Sequence, residues 1–319
     1  MEIIFNCTHD LIKKAAKALK DGYLVAFPTE TVYGLGADAS NPKSVARVYE
    51  VKGRPTDHPL IVHISSISQV DKWAVDVPEY AINLARKFWP GPMTLILKRS
   101  KIAKDFITGG QNLVGLRVPS HPTALMLMKE FENLGGTGIA APSANRFGAV
   151  SPTTLDAVVE ELGEYLSNKD LLLDGGASEV GIESTIIDCS GVTPKILRPG
   201  VILKEQVDKV CGLQSGDNIS GSKVKASGLL ISHYSPVAEV VLDGKTSPED
   251  GFFALAEIET PTGAIRLGSP ATIEEYAKNL YSVLRLADQK GLKRISVMQP
   301  SGDGLAIAIR DRLGKAAAR

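Results

Sequence analysis

Cysteine is scarce in this chain of 319 residues: only Cys7, Cys189 and Cys211 are present, and no two lie close in sequence. That excludes a disulfide framework and a cysteine-built zinc site. Excess charge of either sign is also missing, with Lys plus Arg and Asp plus Glu at 36 each. A protein held to nucleic acid by its whole-molecule field would be distinctly basic, so any basic surface here has to be local, such as a pocket for one phosphorylated ligand. Long apolar runs are absent, since no window approaches the roughly 18 uninterrupted apolar residues of a membrane span. The opening MEIIFNCTHD has neither a basic n-region nor an apolar h-region, so no signal peptide is expected and a reducing cytoplasm is the expected compartment. The glycosylation-like triplets at Asn6 and Asn218 are then chance matches.

What is present is an ordinary globular composition, 44% apolar and 23% charged, and a length that suggests about two domains. Leu11, Ile12, Ala15, Ala18 and Leu19 after Thr8 have helical spacing, with Gly22 at the expected C-cap. YLVAF (23–27) reads as a buried strand, and Asn41-Pro42 as the start of a helix to about Val51. LIVHI (60–64), MTLILK (93–98) and VGLRV (114–118) read as strands, with helices near 78–88 and 122–131 between them. A helix near 153–162 precedes strands LLL (171–173), STIIDC (184–189) and KILR (195–198). Strands both alternate with helices and follow one another directly, which implies a mixed α/β sheet rather than a purely parallel one. Residues 212–236 carry Gly, Ser and Asn without periodicity and read as a linker. VAEVVL (237–242), FFALAE (252–257), a helix from Thr272 to Lys290, RISVM (294–298) and a final helix make a second, smaller α/β unit.

Generic motifs point nowhere useful. Gly34-Leu35-Gly36-Ala37-Asp38-Ala39 formally fits the dinucleotide fingerprint, but PTETVY separates it from the preceding strand and the next helix opens only near Pro42. The glycines are therefore expected to permit an irregular loop, not a cofactor turn. No P-loop exists, and Ser220 with Lys223 has Ser-Lys dyad spacing only by accident of the linker. Four segments stand apart, with polar or cationic residues among Pro and Gly at strand ends: 28–39, 52–64, 141–153 and 181–200. Such loops on an α/β scaffold are common binding sites. Lys52 and Arg54 offer a point charge and a planar fork suited to a polyphosphate, although a solvated basic turn is the ordinary alternative. Arg117 lies in an apolar strand and needs an anion, either a structural carboxylate or a ligand's. His63, between Val62 and Ile64, reads by itself as a satisfied core histidine. Ser143 and Asn145 suit phosphate or ribose oxygens, or local turn capping.

In order and spacing, PTETVYGLG, KGRPxxHPL, WPGPMTLIL, VGLRVPxHP, PSANRFGAVSPT and GIESTIID…LRPG resemble the hallmark segments of threonylcarbamoyl-AMP synthases of the YrdC-like family. The resemblance covers roughly residues 8–202. HYSP (233–236) and the AxxLYxxLRxAD run (277–288) resemble the linker and C-terminal domain of the longer members. The fold implied is α/β: a YrdC-like mixed twisted sheet with helices over 1–211, a linker over 212–236, and a smaller C-terminal Rossmann-like α/β domain over 237–319. The implied reaction converts L-threonine, bicarbonate and ATP into threonylcarbamoyl-AMP, pyrophosphate and water. The product would feed a separate transferase that modifies the adenosine next to the anticodon of tRNA.

Carried over by motif, Thr31, His63, Arg117 and Ser184 should surround threonine, with Arg117 on its carboxylate and the backbone near Ala141 completing the pocket. Lys52, Arg54, His58, Ser143, Asn145, Ser151 and Arg198 should hold ATP, joined by the backbone near Leu113 and covered by Tyr234 from the linker. No covalent nucleophile is assigned, Mg2+ is expected with ATP, and no acidic cluster marks a protein-ligated metal site. Phe147 departs from the small polar residue frequent at its place in the family, and the linker lacks the basic residues that often precede HY. Two other classes remain: a module that binds RNA weakly in a basic concavity, which the neutral charge disfavours, and a regulatory or hydrolytic relative using another acyl-adenylate or carbamoyl substrate.

Overall fold

The computed structural model describes residues 1–5, 7–217, 224–228, 230 and 233–318. Asn6, Asn218 and the Ser220-Lys223 pair lie outside them. One mixed sheet runs in the order Glu2–Ile4, Leu171–Leu173, Val25–Phe27, Gly34–Asp38, Ile139–Ala140, Ile61–His63, Leu113–Arg117, Met93–Lys98, Thr185–Asp188, Lys195–Arg198 and Gly216–Asp217. Parallel and antiparallel pairings are mixed through its middle. Its central strands are buried almost throughout, as their near-continuous Val, Ile and Leu content requires. A second sheet, Glu239–Leu242, Arg294–Val297, Gly251–Phe253 and Ile265–Gly268, is parallel at every pairing and carries the helices Ile273–Gln289 and Leu305–Ala317.

Helix boundaries follow local chemistry. Asn41 accepts from the amides of Lys43 and Ser44, Pro42 occupies the first turn, and Gly53 at φ 61° closes the helix Pro42–Lys52 in the left-handed region. Thr272 accepts from the Glu275 amide to open Ile273–Gln289. The first helix, His9–Lys20, ends at Asp21 rather than directly on Gly22, whose φ of 93° turns the chain one residue later.

The glycine run corrects the sequence reading. Residues 34–38 form a strand, not an irregular loop, paired antiparallel to both Val25–Phe27 and Ile139–Ala140. Gly36 is needed because a Cβ there would meet Ile139 Cγ2 at 2.8 Å and Phe27 Cε1 at 2.9 Å. The glycines serve close packing between strands. The run 252–257 is likewise shorter than expected, since the strand stops at Phe253.

The second sheet's core does not close on itself. Val32, Val150, Ile182 and Tyr234, from the first sheet's loops and the linker, join Phe253, Tyr276, Tyr281, Leu284 and Ile309 in one buried cluster. Gly181 makes the approach closest: a Cβ there would lie 2.4 Å from the Lys278 backbone. Among the described residues, no helix is long and apolar enough to cross a membrane.

Candidate active site

The ends of four central strands and their loops meet in one cleft. Parallel pairing sets His63 directly beside Arg117, and both side chains reach the cleft wall. The segment 29–34 supplies the adjoining wall. Thr29 Oγ1 pairs with Thr31 Oγ1 at 2.8 Å and donates to the Val32 carbonyl at 2.6 Å, so this stretch is internally braced. The segment 141–145 lies beside it: Leu35 N donates to the Pro142 carbonyl, Ala144 N to the Tyr33 carbonyl, and Ala141 N to the Ile61 carbonyl.

Arg117 is buried, and its Nη2 donates to Glu30 Oε1 at 2.7 Å. Glu30 Oε2 also accepts from the Ser120 amide at 3.0 Å. The structure thus supplies a protein carboxylate, yet Arg117 Nε remains buried without a partner. His63 is not the satisfied core histidine of the simplest reading. Its Nδ1 has no partner, its ring meets Phe27 edge-on at 5.9 Å, and burial, reinforced by Arg117, pushes its pKa down to about 3. At neutral pH it is an uncharged imidazole beside a fixed guanidinium.

The other end of the cleft is cationic. Arg54 Nη2 donates to the Pro59 carbonyl at 2.9 Å, and its guanidinium faces the Phe147 ring at 5.7 Å. Burial lowers its pKa to about 10, which leaves it charged at neutral pH. Arg198 donates from Nε and Nη2 to the Ser184 carbonyl at 3.1 and 2.8 Å, and from Nη1 to the Ser227 carbonyl at 3.0 Å. Ser184 Oγ shares a 2.8 Å hydrogen bond with Thr94 Oγ1. Tyr234, with φ 64°, enters from the linker; its hydroxyl is buried without a partner, and its pKa is pushed up to about 12 by burial and then Glu183.

The cleft therefore gathers Thr31, His63, Arg117, Ala141 and Ser184 with Arg54, Ser143, Arg198 and Tyr234. Five other residues singled out from the sequence lie off its wall. Lys52 is buried behind it and donates to the carbonyls of Ser143, at 2.7 Å, and Asn145. Asn145 spends its amide on the Arg146 and Ala149 carbonyls, and its Oδ1 is buried without a partner. Ser151 donates to Glu183 at 2.7 Å. His58 packs edge-on against Phe147 at 5.3 Å. Leu113 stands at the far end of its strand, opposite Lys98.

Sequence reasoning missed Glu30, Glu183, His233, Ser227 and Gly228. The acids had a signal, because cations in apolar surroundings require them. The last two had none, since their place depends on the return of the linker.

Acidification should destabilise the fold. His63 and His233 both titrate at about 3 in the folded chain, against about 6.5 when unfolded. The unfolded state therefore binds more protons between those values, and stability complete above pH 6.5 should fall on acidification by about 1.4 kcal/mol per pH unit per histidine. Glu183, held down to about 2 because Arg312, Arg198 and hydrogen bonds overcome its burial, adds a loss below about 4.5. Thermal unfolding at pH 7 and pH 5 checks this; equal midpoints would contradict it.

Residues 17–200 match the family described as Telomere recombination (Sua5, YciO and YrdC), and residues 202–318 match the C-terminal domain of threonylcarbamoyl-AMP synthase. The threonylcarbamoyl-AMP synthase of Pyrococcus abyssi is 39% identical, the alignment covering 99% of this chain and 98% of that protein. Its Bacillus subtilis counterpart is 37% identical, over 96% and 92%. The crystal structure of P. abyssi Sua5 complexed with L-threonine superposes with a TM-score of 0.88 at 37% identity, covering 99% of this chain and 98% of that one. The ordered loops, the cleft they build and matches spanning both halves of the sequence lead to one conclusion: this chain belongs to the threonylcarbamoyl-AMP synthase family.

Proposed function

We propose that this chain makes L-threonylcarbamoyl-AMP from L-threonine, bicarbonate and ATP, for threonylcarbamoyladenosine modification of tRNA. The observation that carries the proposal is a single cleft with a buried arginine at one end, keeping a free Nε beside a neutral histidine, and two arginines at the other. One end suits an amino-acid carboxylate and the other a polyphosphate. In this reading Thr31, His63, Arg117, Ala141 and Ser184 surround threonine. Arg54, Ser143, Arg198 and Tyr234 face ATP, and Lys52, Asn145 and Ser151 act by holding the loops that do so. His58, packed on Phe147, borders the nucleotide side, whereas Leu113, at the far end of its strand, lies off the cleft wall.

The uncharged amine of threonine attacks the bicarbonate-derived carbon, and water leaves. A carbamate oxygen then attacks the α-phosphorus, and pyrophosphate departs. The arginines stabilise the charge that builds on the phosphates, and the braced walls align the reactants. Among the described residues, no three or more His, Cys, Asp or Glu side chains are grouped to hold a metal ion. Glu30 and Glu183 are both engaged by arginines. In this proposal Mg2+ arrives on the ATP phosphates.

The working domain limits are 1–211, 212–236 and 237–319. A cytoplasmic location, transfer of the product to a separate tRNA-modifying transferase, and weak salt-dependent contact with RNA belong to the same proposal. The deciding experiment incubates the protein with ATP, labelled bicarbonate and a panel of amino acids. Label should enter an AMP adduct only when threonine is present; an adduct that forms without threonine, or none at all, would refute the assignment.

A further inference from the structure

The C-terminal helix sends one fully buried arginine back to the cleft wall. Arg312, on Leu305–Ala317, donates from Nε to Glu183 Oε2 at 2.8 Å and from Nη2 to the Pro199 carbonyl at 3.0 Å. Its Nη1 donates to Asp311 at 2.5 Å, and its guanidinium lies 5.6 Å from the Tyr234 ring centroid. Glu183 also accepts from the Tyr281 hydroxyl at 2.8 Å and the Ser151 hydroxyl at 2.7 Å. Apart from Asp311, each of these groups that Arg312 touches is part of the cleft wall or its direct neighbour in sequence. Glu183 precedes Ser184, Pro199 follows Arg198, and Tyr234 is held in the left-handed region, a conformation that persists only when its surroundings enforce it.

The electrostatics are specific. Glu183 is buried and ionised, and the cations acting on it are Arg312 first and Arg198 second. Among the described residues, the acceptors of Arg198 are carbonyl and hydroxyl oxygens of Ser184 and Ser227. Without Arg312, the unneutralised carboxylate would compete for the Arg198 guanidinium, because a buried charge left without its partner recruits another.

We propose that Arg312, assisted by Tyr281, is a positioning residue for the nucleotide side of the cleft. By neutralising Glu183 it leaves Arg198 directed at the phosphates, and it fixes Pro199 and Tyr234 in place. The C-terminal domain thereby completes the ATP site without touching ATP. This rests on the assignment of that end of the cleft to ATP.

The test uses the full chain, with binding of a non-hydrolysable ATP analogue measured by calorimetry beside steady-state KM values for ATP and threonine. Arg312→Met should raise the ATP KM about tenfold or more, one lost charge-assisted contact, and leave the threonine KM within about threefold. The double variant Glu183→Gln with Arg312→Met removes the competing carboxylate and should restore ATP binding to within about threefold of the parent. Tyr281→Phe, a smaller change that keeps the ring, should raise the ATP KM about threefold and serves if Arg312→Met does not fold. Lower melting temperatures with an unchanged ATP KM in the single variants would reduce Arg312 to a structural latch and overturn the proposal. Equal loss of ATP binding in the single and double Arg312 variants would overturn its electrostatic basis. A parent protein that binds no ATP analogue would overturn the cleft assignment and this inference with it, whereas analogue binding without adduct formation would count only against the proposed reaction.

Discussion

Arg117→Ala should raise the threonine KM by about a hundredfold or more and the ATP KM by no more than a few-fold, because two charge-assisted hydrogen bonds contribute about 1.5–3 kcal/mol each. The asymmetry follows from where Arg117 sits. It ends the central strand Leu113–Arg117, in register with His63, and its Nε is open, whereas Arg54 and Arg198 both reach Ser227. The same substitution leaves Glu30 buried with only the Ser120 amide, which should cost about 3–5 kcal/mol of stability. Thermal unfolding therefore has to accompany the kinetics. Double replacement of Glu30 by Gln and Arg117 by Ala removes the stranded charge and should recover stability without recovering threonine binding. Equal rises in both KM values for Arg117→Ala would contradict the assignment of this end to threonine.

Lys52→Met should lower stability by about 2–6 kcal/mol, since it orphans two buried carbonyls at about 1–3 kcal/mol apiece. It should also raise the KM for both substrates. Lys52 closes the helix Pro42–Lys52, and its ammonium binds the Ser143 and Asn145 carbonyls from behind the wall. Arg146 answers in the opposite direction, donating to the Val51 carbonyl at 2.5 Å. The pair clamps the 142–149 loop to the helix end. Burial first, then Arg54, drives the Lys52 pKa well below its ordinary value, so the amine here is a hydrogen-bond donor to carbonyls rather than a solvated charge. A direct phosphate ligand would behave differently: its loss would raise the ATP KM alone and leave the melting temperature unchanged. Calorimetric unfolding combined with both KM values distinguishes the two roles.

Periodicity carried much of the fold. Strand runs such as MTLILK and LLL, and the helix opened by Thr272, declare themselves through local spacing and capping, which are properties of neighbouring residues. The short strands Ile139–Ala140, held between two strands, and Ile265–Gly268, paired at the sheet edge to Gly251–Phe253, have no such signature and exist because those neighbours hold them. Gly34–Asp38 misled for the same reason: glycine reads as loop locally, but only glycine fits between Phe27 and Ile139.

The cleft loops were legible because cations and small polar residues among Pro and Gly are unusual at strand ends, and their order matches a known family. Sequence alone determined which loops line the cleft and that Arg117 needed an anion. Tertiary structure decided what each cation does there. It gave Glu30 to Arg117, turned Lys52 onto two carbonyls, and brought Arg312 from the far end of the chain to Glu183. The reason is that a side chain's type is written in the sequence, while the partner that fixes its charge and direction depends on which distant segments share its burial.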